Sequence, residues 1–73
     1  MEALKRLRGK KLKTQQDIDE KINVSRQTYN TYENNLSVLS LDQIQEILIA
    51  LEANDEEIKE FFYEIQQDIL SHK

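Results

Sequence analysis

Seventy-three residues, a third of them charged, with no cysteine, no proline and a net charge of −4, describe one small domain near the lower limit of what a single core can stabilise. The missing cysteines exclude a disulfide framework and thiol chemistry, and with one histidine no zinc site is expected. The longest apolar run, Ile47 to Leu51, is too short to cross a bilayer, and residues 1–13 have no apolar core of a signal peptide, so a soluble cytoplasmic protein with no membrane association is expected.

Little in the chain interrupts helix formation, and an all-α, five-helix domain over 1–73 follows. Leu4, Leu7 and Leu12 give the first segment an apolar side amid Lys5, Arg6, Arg8, Lys10, Lys11 and Lys13. Gly9 weakens this helix by about 1 kcal/mol relative to Ala and marks either its early end or a close backbone approach. Thr14 with Asp17 has capping-box spacing for a second helix. Asn23, tolerant of a left-handed backbone, begins a short turn, and Ser25 caps a third helix over 25–34. Residues 14–34 therefore read as a helix-turn-helix. Leu36, Val38 and Leu39 of the next connection are expected to pack inward.

Ser40 with Gln43 caps a fourth helix. Its Leu41, Ile44, Ile47, Leu48 and Leu51 recur at helical spacing, with Ile49 and Ala50 thickening the stripe, which places it at the centre of the core. Asn54 with Glu57 caps a fifth, long amphipathic helix over about 55–71, where Asp55, Glu56 and Glu57 favour the positive end of the helix dipole. Ile58, Phe61, Phe62, Ile65 and Ile69 line one face, widened by Tyr63 and Leu70. The second half of that stripe overhangs so small a core. Either it folds back on the first helix or it pairs with a second copy; a homodimer through Phe62, Ile65, Ile69 and Leu70 is the favoured reading.

The third helix carries the functional signal. At about 100° per residue, turning Tyr29 and Tyr32 toward a core points Gln27, Asn30, Thr31 and Asn34 the other way, with Arg26 on the flank of the first turn. This strip of amides, a hydroxyl and a guanidinium suits base edges in a major groove: amides pair with adenine, guanidinium with guanine. It carries no carboxylate, with Glu33 near the inward edge. An ordinary solvated polar face is the bland alternative, and the turn motif argues against it.

Charge is unevenly spread. Residues 1–13 hold six Lys/Arg against one Glu, whereas residues 39–73 hold nine Asp/Glu against two Lys. A basic start and an acidic end pointing away from DNA are compatible with duplex binding, because screening acts within about 8–10 Å. Affinity for random DNA should be weak and steeply salt-dependent.

Leu4-Lys5-Arg6-Leu7-Arg8, Thr14-Gln15-Gln16-Asp17-Ile18, Val24-Ser25-Arg26-Gln27-Thr28-Tyr29 and Tyr32-Glu33 together resemble the phage-repressor-like helix-turn-helix family, of the Cro or XRE type, over about residues 3–62. The resemblance implies a compact lambda-repressor-like domain with the motif at its second and third helices. It implies that Arg26, Gln27, Asn30 and Thr31 read bases, that Gln15 touches a phosphate or an outer base, and that Asn34 binds phosphate. Ser25 is counted at the same DNA-binding surface. Arg8 and Glu33 would form a structural ion pair between the first and third helices. The chain departs from the family at Asp19, where a small Ala is usual, so that either the motif helices stand apart or the carboxylate finds a donor. Asn23 and Asn35 stand where glycines are usual, and Leu12-Lys13 replaces Gly-Leu before Thr14.

No catalytic constellation, phosphate-cradling loop or cofactor site is present: Ser25 and Thr28 lack a neighbouring base, Gly9 stands alone, and Asp55 to Glu57 are explained by the helix start. His72 is read as part of a frayed end. The expected function is a dimeric, sequence-specific transcription regulator, in its simplest form a repressor on a double-stranded, pseudo-palindromic operator, from a phage or mobile element or cut from a longer regulator. Two alternatives come from other classes. One is an antitoxin whose acidic fifth helix masks a protein partner (a toxin, or an antirepressor in the regulator reading). The other is a protein-interaction adapter that no longer binds DNA.

Overall fold

A computed structural model describes residues 2–71; His72 lies outside the described residues. The described residues fold into five helices, α1 (Ala3–Lys10), α2 (Gln15–Lys21), α3 (Arg26–Asn34), α4 (Leu41–Ala50) and α5 (Asp55–Ser71), with a short 3₁₀ turn at Leu36–Val38 between α3 and α4. No strand occurs among the described residues. The all-α architecture is as expected.

Helix starts follow the caps. Thr14 and Asp17 bond reciprocally, side chain to backbone N–H, at 3.1 and 2.7 Å. Ser40 with Gln43 and Asn54 with Glu57 do the same. Ser25 Oγ accepts the Thr28 N–H at 3.0 Å. Each cap satisfies backbone donors that have no partner within the helix, and losing one costs about 1 kcal/mol.

Helix ends follow a less expected rule. Leu12, Asn23 and Glu52 have left-handed φ values of 57°, 60° and 57°. The next N–H in each case reaches back five residues: Lys13 to the Arg8 carbonyl, Val24 to Asp19 and Ala53 to Leu48, at 3.0, 3.0 and 3.2 Å. This is the Schellman closure, usually made with glycine. A side chain with a Cβ there costs about 1–2 kcal/mol, least for Asn, tolerated because these three turns fold the helices back on one core. Asn35, in contrast, is not left-handed (φ −145°); no glycine is needed there, and its side chain instead accepts the Ser37 N–H to start the 3₁₀ turn.

The core is built from Leu4, Leu7, Ile18, Tyr29, Leu36, Ile47, Leu48, Leu51 and Phe61. Five apolar side chains expected inside are exposed. Leu12 occupies the left-handed turn beyond α1 and stands 90 % exposed. In the tight turn Leu36 and Leu39 share one side, which leaves Val38 off it. Ile49 and Tyr63 each lie about 200° around their helix from the buried Ile47 and Phe61. Leu41 is the first residue of α4, past the part its neighbours cover. Gly9 lies inside α1, and a Cβ built there would meet nothing within 4 Å, so it marks no close backbone approach.

Helix α5 runs along α1. Phe61 is buried, Phe62 packs edge-on against it at 5.3 Å between centroids, and Ile65 is half-buried, while Ile69 and Leu70 remain about half exposed.

Candidate nucleic-acid interface

Helix α3 is held with one side inward. Tyr29 and Glu33, one turn apart, are buried, and Tyr32 is half-buried. Arg26, Gln27, Asn30, Thr31 and Asn34 are exposed, together with the cap Ser25. Ser25 donates to Thr28 Oγ1 at 2.9 Å, and Thr31 donates to the Gln27 carbonyl at 3.1 Å, as a hydroxyl one helical turn on readily does. The amides of Gln27 and Asn34 make no hydrogen bond within the described residues.

Glu33 anchors the inward side. Arg8 from α1 grips it with two bonds, Nε to Oε2 at 2.7 Å and Nη2 to Oε1 at 3.2 Å, and its third arm, Nη1, donates to the Lys13 carbonyl at 3.1 Å. Burial pushes the Glu33 carboxyl up, but hydrogen bonds from Arg8 and Gln15 outweigh it and leave the group below the usual range. The same hydrogen bond with Glu33 raises Arg8. Beside them the Tyr29 hydroxyl is fully buried without a hydrogen-bond partner of proper geometry. Its pKa is pushed far up, first by burial and then by the Glu33 charge.

From Glu33 the network passes to the outer surface. Gln15, at the start of α2, donates one N–H to Glu33 Oε1 at 3.1 Å and the other to Asn30 Oδ1 at 3.2 Å. Both its donors are thereby used, and a side-chain bond to a phosphate requires breaking one of them. Asn30 gains a fixed orientation instead: its oxygen keeps a second lone pair and its NH₂ remains a donor, the pair of functions adenine demands.

The departure at Asp19 resolves through a donor. Asp19, on α2, is nearly fully buried, and Arg26 Nε lies 2.7 Å from its Oδ2. Helices α2 and α3 stay packed, and the one cation on the outward strip of α3 is paired. This link, like that from Gln15 to Asn30, was not legible in the sequence. Its sole signal was an acidic residue where a small one is usual.

The basic first segment is also redistributed. Arg6, Lys10 and Lys11 pair with Glu64, Glu60 and Glu57 of α5, and Lys13 with Glu52. Of the six cations in residues 1–13, Lys5 alone is in no ion pair among the described residues. The acidic α5 lies against the basic start.

A family model described as helix-turn-helix matches residues 4–58, which takes in both motif helices, α4 and the start of α5. Comparison with curated proteins and with solved structures gives no match.

Proposed function

The chain belongs to the Cro/C1-type helix-turn-helix family, a DNA-binding regulatory class and not an enzyme family, and from that premise we propose that it is a sequence-specific transcription repressor reading duplex DNA through α3. The observation that carries this reading is the outward strip of α3, in which Gln27, Asn30, Thr31 and Asn34 stand exposed above a buried Tyr29 and Glu33. Gln27, Asn30 and Thr31 read bases, Asn34 faces the phosphate backbone, Gln15 reaches a phosphate on releasing one of its two internal bonds, and Arg26 supplies the guanine contact. Ser25 holds the first turn of the reading helix at the DNA surface.

The DNA-bound form is a two-fold dimer on a pseudo-palindromic operator, its α3 helices in major-groove half-sites about 34 Å apart. Exposed Ile69 and Leu70, continuing the half-buried Phe62 and Ile65, give α5 the apolar surface for that pairing. Repression follows from occupying the operator and excluding polymerase. Among the described residues no helix is long and apolar enough to cross a membrane.

The experiment is selection of bound duplexes from a random pool, followed by mobility shifts with Gln27→Ala and Asn30→Ala. Each substitution should cost about 1–3 kcal/mol of specific binding with helicity by circular dichroism unchanged. A full operator should be bound more tightly than one half-site. Equal binding of all pool sequences, or wild-type affinity in both variants, overturns the assignment.

A further inference from the structure

Arg26 and Asp19 form the one ion pair that joins the two motif helices at the reading surface, and its geometry is selective. The Asp19 side chain is 7 % exposed and fixed, whereas that of Arg26 is 53 % exposed. The contact is made by Nε, the inner nitrogen of the guanidinium, at 2.7 Å. The terminal nitrogens, Nη1 and Nη2, have no hydrogen bond within the described residues. A guanidinium held by Nε is a fork with its handle clamped and its two tines outward.

We propose that Asp19 is a specificity-positioning residue, which clamps Arg26 by Nε so that Nη1 and Nη2 meet a guanine end-on, at O6 and N7. This rests on the reading of α3 as the DNA-reading helix. Two physical consequences follow from the clamp. The rotamer entropy of a long side chain is lost on folding and not on binding, which favours the aligned contact. The buried carboxylate also offsets the arginine charge, so the pair is a poor ligand for a lone phosphate. Guanine presents two acceptors in line, whereas adenine places an N6 donor against one tine. The clamped arginine therefore gains little from the backbone and much from one base. A free arginine in the same place would settle on either.

The test compares Asp19→Ala, Asp19→Val and Arg26→Ala with the wild type on three duplexes: the selected site, the same site with its Arg26-dependent guanine replaced, and a random sequence. Ala is the residue usual in the family at this position, so Asp19→Ala should fold; Asp19→Val, which keeps most of the bulk but offers Arg26 no acceptor, decides the matter if it does not. Wild type should prefer the guanine about 5- to 150-fold, the range expected for one good bidentate contact, and Arg26→Ala should lose that preference. Both Asp19 variants should lose most of the preference at the same position and no other. They should also bind random duplex more tightly, with a salt slope steeper by up to about one released counterion.

Undiminished preference for the guanine in the Asp19 variants overturns the proposal and leaves the DNA-reading role of α3 intact. Uniform weakening on all three duplexes overturns it too, because it marks Asp19 as a purely structural residue. A wild type that binds every duplex alike removes both the inference and the reading it rests on.

Discussion

Two sides of α1 carry arginine–carboxylate pairs, and the same chemistry does different work on each. Outward, Arg6 meets Glu64 of α5 at 2.6 Å with both side chains substantially exposed. Inward, Arg8 meets Glu33 of α3 at 2.7 Å, the two side chains 16 % and 4 % exposed. Exposed pairs exchange one set of hydrogen bonds for another in water and contribute about 0–1 kcal/mol. A buried carboxylate has given up its water, so its partner is needed to keep it charged at all. Distance does not separate the two pairs; solvent does. Arg8 also fixes the Lys13 carbonyl, and Glu33 passes its hold through Gln15 to Asn30. The inner pair thus reaches the outward strip of α3, and the outer pair does not.

The largest break in this contrast is Arg8→Ala. It leaves Glu33 buried and unpaired, and should cost about 3–5 kcal/mol of stability, a large share of the 4–11 kcal/mol usual at this length. Urea unfolding followed by circular dichroism measures it; a loss below 1 kcal/mol would place Arg8 with the surface pairs.

Acid sharpens the same comparison with a definite sign. The folded-state pKa of Glu33 lies below its unfolded value of about 4.3. Its contribution is therefore complete above that value and is lost as pH falls through the folded pKa. Asp17, held by bonds to Thr14, and Glu57, held by Asn54 and Lys11, are lowered in the same direction. Wild-type stability should decline below about pH 4.3. The deficit of Arg8→Ala should shrink over the same range, since protonation removes the uncompensated charge. Equal deficits at pH 7 and pH 3 would show that Arg8 acts through packing alone.

What the sequence made legible was local. Thr14 with Asp17, Ser40 with Gln43 and Asn54 with Glu57 announce their helices because a cap and its partner lie three residues apart. The outward strip of α3 follows from helical angle once Tyr29 is placed inside. What stayed hidden depends on distant contacts. Nothing near Glu52 signals a left-handed residue, and at Leu12 the one hint was the glycine usual in the resembled family; the fold imposes that backbone on whatever side chain is there. The pairing of Arg6, Lys10, Lys11 and Lys13 was hidden because their acidic partners lie 39 to 58 positions away. Asp19 was visible as a departure, but the identity of its donor depended on how α2 meets α3.

The smallest effect closes the comparison. Arg6→Ala removes the outer pair, and Glu64, a third exposed, can return to water. The cost should stay within about 0–1 kcal/mol, part of it from the arginine stem leaving the surface of α5. The double variant Arg6→Ala/Glu64→Ala separates the two parts: a coupling energy near zero assigns the loss to the stem. Raising salt should erase whatever coupling remains, because exposed charges are screened within about 8–10 Å, whereas the deficit of Arg8→Ala should hardly move. A salt-insensitive coupling above 1 kcal/mol between Arg6 and Glu64 would mean that α5 shields this pair, and that both sides of α1 belong to the interior.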